Sequence, residues 1–454
     1  MAEDLFLRTY LDLDAPRGRR ASVARPAELV RRASPPEAYA LAGCVLTPTE
    51  RLDDGWVVVE GARISAVGTG APPSGVRVVE TGGVVLPGLI DLHGHPEFNV
   101  FAAWEPSSTY RNRYQWRASE AYHALVRDPQ NKLLVDPGAP VELAYAEVRA
   151  LVGGVTAIQG AGGATRHQES LVRNVDGWVF GQRRARAMID LPDSLSGRGG
   201  DQLAADLRAI AAGEVDVLYL HLAEGLPSDA RSAAEFPRLV ELGALTPATL
   251  LIHGTALTPP QFEQLAAEGR GLVWSPQSHL RLYGTTTDAA AARAAGVRLG
   301  LGADWLPSGS TSLLAEMKVA RRELAQQGSP IEPADLVRMV TSGAAALAGL
   351  DAHLGTLAAG RAADVLVLER HHDDPWEDVC EADPSWVELV VLDGAPAYGR
   401  ADWMASLRPA GAPPADPLIA WGKPVALDTG TSAPLPQTRA ALIAQYPAIG
   451  PIFA

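Results

Sequence analysis

At 454 residues the chain is long for one small domain and suits one large barrel with an accessory domain. Its 47% hydrophobic and 20% charged residues describe an ordinary globular protein and exclude disordered and fibrous classes. The net charge of -14 argues against nucleic acid as a partner, because phosphate-backbone binding needs clustered Lys and Arg.

The first residues, Met1 to Phe6, show no basic segment followed by an apolar core, and no later apolar run is long enough to span a bilayer. No membrane partner is expected, and the chain reads as cytoplasmic. Residues 1–37 form a lead-in punctuated by Pro16, Pro26, Pro35 and Pro36, with Arg17, Arg19 and Arg20 as a solvated basic patch. Short β-rich runs follow, Ala40 to Leu46 and Gly55 to Glu60, and similar runs return at Asp364 to Leu368 and Val387 to Gly394. These flanks, 38–83 and 355–400, predict a small composite β-sandwich domain, with 401–454 as a C-terminal extension. Cys44 and Cys380 are too few for a disulfide framework and read as structural thiols.

Between the flanks, residues 84–354 alternate apolar strands with Ala- and Leu-rich helical stretches. That pattern predicts an α/β fold, a (β/α)8 TIM barrel with its site at the C-terminal ends of the strands. A doubly wound sheet would need a Gly-rich phosphate turn after its first strand, and His93-Gly94-His95-Pro96 is not one. The run Val84 to Leu92 reads as a buried strand closing on His93 and His95, which, two apart, point to one side. Two converging imidazoles suggest a divalent metal; the plainer alternative is two polar residues at a strand end. Further strands are expected at 155–159, 185–189, 215–220, 249–252, 271–274 and 297–301. The stretch 160–200 is irregular, and one strand there is expected to be degenerate.

His221 directly follows the 215–220 strand, and Glu224 lies three residues on in the loop. His253 follows the 249–252 strand, and Asp304 follows the 297–301 strand through Gly302-Ala303. Each alone is more often a satisfied polar group than a ligand. Grouped with the first pair at four strand ends, they describe a site. The connection after His95 carries Phe98, Trp104, Tyr110, Arg111, Arg113, Tyr114 and Trp116, and reads as a long loop that either covers a substrate or packs on the barrel. Trp104, Arg113, Trp274, His279 and Trp305 are the candidate substrate contacts.

His93-Gly94-His95, His221-Leu222-Ala223-Glu224, His253 and Gly302-Ala303-Asp304 together resemble the amidohydrolase superfamily, in particular the group with cytosine deaminase, S-adenosylhomocysteine deaminase, the triazine hydrolases and imidazolonepropionase. Gly355 to Asp364 resembles that superfamily's re-entry into its β-domain, so the likeness runs from about Ala38 to Gly399. It implies that His93, His95, His221 and Asp304 bind one divalent metal, zinc or iron. It further implies that an activated water attacks an sp² carbon bonded to nitrogen, with Asp304 taking the proton and His253 stabilising the oxygen or orienting the water. Glu224 would carry a proton to the ring or leaving nitrogen, or else orient His221. Relatives with two metals use a carboxylated lysine; Lys132, the only lysine between His95 and His221, reads as part of a loop, which points to one metal. Relatives commonly have Asn where His279 stands, and His can change charge near neutral pH. The implied function is a metal-dependent C–N hydrolase that deaminates a small aminated heterocycle or opens a cyclic amide. The alternative is a catalytically silent scaffold, and a homodimer is expected from the resemblance.

Overall fold

The computed structural model describes residues 29–35, 37–160, 169–430 and 433–453. Most of the lead-in, with its arginine patch, lies outside the described residues. Its described end is pinned rather than loose: Val30 N–H donates to Ser170 O at 2.9 Å, and the buried Arg32 donates to Leu171 O and Asp428 O at 2.8 Å each. Among the described residues no helix is long and apolar enough to cross a membrane.

Eight parallel strands follow one another in chain order: β1 Leu89–Asp91, β2 Val155–Ile158, β3 Arg173–Asn174, β4 Ala185–Met188, β5 Val217–Leu222, β6 Thr249–His253, β7 Gly271–Trp274 and β8 Leu299–Leu301. Hydrogen-bonded ladders run β1 to β3 and β4 to β8. The first and last strands meet where Leu92 N–H donates to Leu301 O at 3.1 Å and where Gly94 bridges Asp304. Alternate residues of these strands serve two cores. Ile90, Ala157, Tyr219, Leu250 and Val273 pack together inside the barrel, whereas Leu218, Leu220 and Leu251 pack with Leu203, Phe262 and Leu265 of the helices Gly200–Ala211 and Pro259–Glu268. This is the (β/α)8 architecture, and the degenerate strand is the two-residue β3.

The run Val84 to Leu92 is not one strand. Arg77–Pro87 belongs to the flanking sheet and Leu89–Asp91 to the barrel. Gly88 marks the break, because a Cβ there would fall on the side chain of Thr156. One apolar run can serve two sheets because both bury it on both faces, so hydrophobicity gives no sign of the break.

The flanking sheet has nine strands in the order Asp416–Ala420, Lys423–Leu427, Ala395–Arg400, Val387–Leu392, Val365–Leu368, Arg77–Pro87, Tyr39–Leu46, Arg51–Glu60 and Arg63–Thr69. The two flanks join where Val365 pairs with Pro87 and Val367 with Val85, antiparallel. Residues 416–427 add two more strands, and helix Leu435–Gln445 packs on helix Ala139–Val152 through Leu442, Tyr145 and Val148.

The long connection after His95 is largely helical rather than a loop, with helices at Arg113–Arg117, Glu120–Tyr122 and Asp128–Leu133 and π-helical turns between and after them. Lys132 therefore sits on a helix, and it is exposed to solvent.

Candidate active site

The site is assembled where β1 and β8 end. Asp91, 5% exposed, accepts from His93 N–H and Ala303 N–H at 3.2 Å each, tying the two strand ends to one carboxylate. Burial lifts this carboxyl to about 7, against the pull of those two donors. Gly302 is required here because a Cβ would overlap His93. The strand itself ends at Asp91, so His93 and His95 are placed by these loop contacts and not by strand alternation.

Gln159 donates from Nε2 to Asp176 at 3.1 Å, which turns its Oε1 toward His93 Nδ1 at 3.3 Å. His93 therefore carries its proton on Nδ1 and presents the Nε2 lone pair to the cluster. That Nε2 lies 3.2 Å from Asp304 Oδ1, and His95 Nε2 lies 3.6 Å from the same oxygen. The His221 ring centre is 4.7 Å from that of His93 and 5.5 Å from that of His95. Ligand atoms of His93, His95 and His221, and of His93, His253 and Asp304, fall within 4.8 Å of one another in each group. Two ligands held at 2.0–2.2 Å around a tetrahedral ion stand roughly 3.4 Å apart, so the spacing around Asp304 fits a divalent cation.

Protonation also fits. Burial, with His93 adding to it, lowers His95 to about 3, and burial takes His221 and His253 well below the usual imidazole value. Burial would raise Asp304, but His93 and His95 outweigh it and hold the carboxyl below its ordinary range. His93 differs, since Asp304 raises it above the ordinary imidazole value against its burial, a shift that a cation at its Nε2 would reverse. Neutral His95, His221 and His253 beside an ionised carboxylate are the states in which these groups ligate a metal.

β5 runs through His221 to Leu222, and His253 is the last residue of β6. Strand alternation would point His253 outward with Leu251. Its left-handed backbone, φ 76°, breaks that alternation, and the ring centre sits 5.0 Å from that of His93. Ala223 at φ 54° and Asp304 at φ 59° share this conformation, so three non-glycine residues at the strand ends hold left-handed backbone.

Glu224 lies beside the cluster, 4% exposed, with Oε2 3.5 Å from His253 Nε2. Its Oε1 accepts from Tyr283 OH at 2.6 Å, and Tyr283 OH accepts from Trp116 Nε1 at 2.9 Å. Burial lifts Glu224 to about 7, with Arg113 and the Tyr283 hydrogen bond opposing. His253 Nδ1 meets His279 Nε2 at 2.9 Å, and His279 Nδ1 meets Thr286 Oγ1 at 3.1 Å.

These groups open onto a cavity of about 510 Å³, its mouth included. His95, His221, Glu224, His253 and Asp304 line one side; Phe98, Trp116, Tyr122 and Trp305 form an aromatic wall; Arg113, Arg117 and Ile189 complete the lining. Of the five expected substrate contacts, Arg113 and Trp305 reach the cavity. Trp104 packs instead on Tyr110 and Tyr122, and the fully buried Trp274 donates to Thr286 at 2.8 Å. His279 lies behind His253, and burial lowers it to about 3, so it does not change charge near neutral pH. Sequence reading missed Arg117, Tyr122 and Ile189 as lining residues, and Tyr283 as the partner of Glu224. Arg113, Trp116 and Arg117 have the i, i+3, i+4 spacing of one helix face, a signal hidden by reading the segment as a loop.

The profile described as Amidohydrolase family matches residues 185–396. Over that stretch, which takes in β4 to β8 and the neighbouring strands of the flanking sheet, the chain resembles the amidohydrolase family. It is 27% identical over 383 residues to a 5-methylthioadenosine/S-adenosylhomocysteine deaminase of Desulforudis audaxviator, covering 75% of this chain and 88% of that relative. Among solved structures, the fold aligns with that of a triazine hydrolase from Arthobacter aurescens at TM-score 0.67 and 18% identity, over 90% of this chain and 99% of the other. It aligns with a zinc-bound adenosine deaminase from Xanthomonas campestris at TM-score 0.61 and 19% identity, over 80% of this chain and 93% of that one.

Proposed function

We propose that this protein is an amidohydrolase, a zinc-dependent deaminase that replaces an amino group on a small heterocycle by oxygen. The observation that carries this reading is the buried cluster of three imidazoles and Asp304 beside Glu224, a carboxyl with a pKa of about 7. His93, His95, His221 and Asp304 would hold the cation, which lowers the pKa of water toward about 7. Asp304, whose carboxylate faces His93 and His95, takes the proton from the attacking water. His253, oriented by its contact with His279, stabilises the oxygen that forms at the attacked carbon. Glu224 delivers a proton to the departing nitrogen, for which a value near 7 keeps enough acid present at neutral pH. The aromatic wall of Phe98, Trp116, Tyr122 and Trp305 suits a flat ring.

One metal is proposed because Lys132 is exposed. Zinc is favoured over iron because the adenosine deaminase of like fold carries it. The test is metal analysis of purified protein, then a screen of aminated heterocycles and cyclic amides that follows ammonia release and product mass. Ammonia release with exchange of NH2 for oxygen is the expected result. Gain of one water without ammonia would point to ring opening, and zinc-loaded protein inert toward both classes would support a silent scaffold.

A further inference from the structure

The cavity wall carries a cation whose donors are only partly used. Arg113 is 1% exposed and lines the cavity. Its Nη2 is engaged by Tyr114 OH at 3.0 Å, Glu235 Oε1 at 3.1 Å and Asp190 Oδ1 at 3.5 Å. Its Nε and Nη1 have no hydrogen-bond partner. A guanidinium stays charged and offers five N–H groups, and buried donors left unmade are costly.

The group is also held in place from both sides. Glu235 accepts from Tyr114 OH at 2.7 Å through Oε1 and from Ala223 N–H at 2.6 Å through Oε2, and Ala223 adjoins Glu224. Arg113 N–H donates to Glu224 O at 3.2 Å. The guanidinium is thus fixed against the loop that carries the proposed proton donor. The aromatic wall leaves these two donors unbonded: Trp116 uses its one polar atom on Tyr283, Trp305 and Phe98 present carbon or N–H, and the Tyr122 hydroxyl, the one oxygen of the wall, makes no hydrogen bond to them. An acceptor for them can come from a ligand in the cavity.

We propose that Arg113 is a specificity-determining residue that selects heterocycles bearing an oxygen acceptor, a ring oxo group or a ring carboxylate, over the bare aminated ring. The inference rests on the deaminase reading of the site and names the substrate class within it. Glu235 offsets the charge of Arg113, so both oxygen types suit it, and the probes separate them.

Two matched sets are used on zinc-loaded protein carrying Glu224→Gln, which keeps probes from being consumed. One set is cytosine, 4-aminopyrimidine-2-carboxylate and 4-aminopyrimidine; the other is guanine, 2-aminopurine-6-carboxylate and 2-aminopurine. Calorimetric titration is expected to show an oxygen-bearing member of at least one set binding about 10- to 100-fold more tightly than its bare ring, the range for hydrogen bonds to a charged group. Arg113→Met should abolish that preference while zinc content and circular dichroism stay unchanged. Should removal of the charge beside Glu235 prevent folding, Arg113→Lys decides, since it keeps the charge without the fork and should also lose the preference. No preference in either set, absence of all binding included, overturns the proposal, as does a preference that survives in the folded variant. The deaminase reading is judged separately, by ammonia release from the same probes with unmodified protein. Preference without ammonia release would sink that reading and leave Arg113's role standing.

Discussion

Glu224 and Asp304 are both buried carboxyls, yet their neighbours push them apart: His93 and His95 hold Asp304 ionised, while burial lifts Glu224 to about 7. Two carboxyls set to opposite states can take and give a proton in one turnover. Glu224→Gln keeps shape and the Tyr283 contact but cannot deliver a proton. Metal should remain bound while turnover falls by about 10² to 10⁴; loss of metal would instead assign Glu224 to support of His221. His279 leads to a different expectation from the one its residue type suggests. Because burial keeps it neutral, His279→Asn should leave the pH profile in place and slow turnover about 10-fold or less, since Asn can still meet His253 Nδ1. His279→Leu should slow it by roughly 10²-fold, comparable to loss of an acid–base group; equal rates for Asn and Leu would rule out a hydrogen-bonding role. The histidines and acids that gather at the cluster were legible because they fall at strand ends with short spacings. The residues that hold them from behind were not, because a single sequence does not say which side of His253 a neighbouring histidine occupies.

The helix Pro276–Tyr283 shows why elements must be placed before their residues can be assigned. His279 and Tyr283, one turn apart, share a face, and through that face the helix supports His253 and Glu224 together. The helix Ala139–Val152 holds a second such lesson, in stability rather than catalysis. Its Glu142 is fully buried, accepts from Gln130 at 3.1 Å, and is pushed to about 9 by burial, with Glu97 adding to the rise. Against the usual glutamate value of 4.5, the folded chain holds a proton that the unfolded chain releases. The stabilisation is full below about pH 4.5 and declines as pH rises through about 9. The urea midpoint should therefore fall between about pH 5 and 9, and Glu142→Gln should flatten that decline. An unchanged slope would show that Glu142 is ionised in the fold.

At the scale of the whole molecule, the cluster that fits a cation gathers side chains from the ends of β1, β5 and β8, so a bound metal would bridge both ladders of the barrel. Binding to the folded state alone stabilises by about 4 kcal/mol at a thousandfold excess over Kd. Chelation should lower Tm by several degrees and zinc should restore it; an unchanged Tm would argue against a resident ion. The barrel was readable from the alternation of strands and helices. The recruitment of residues 416–427 into the flanking sheet was not, because Asp416–Ala420 and Lys423–Leu427 are short, polar-flanked runs, and Ile419 stays 70% exposed at the sheet edge. The pairing of Val85 with Val367 joins residues about 280 positions apart. At a synthesis rate of about 5–20 residues per second, on the order of 15–60 s pass between the emergence of one partner and the other. Throughout that interval Val84 and Val85 have Cys44 and Val45 on one edge and no strand on the other, so the flanking sheet stays open along that edge until its last fifth leaves the ribosome.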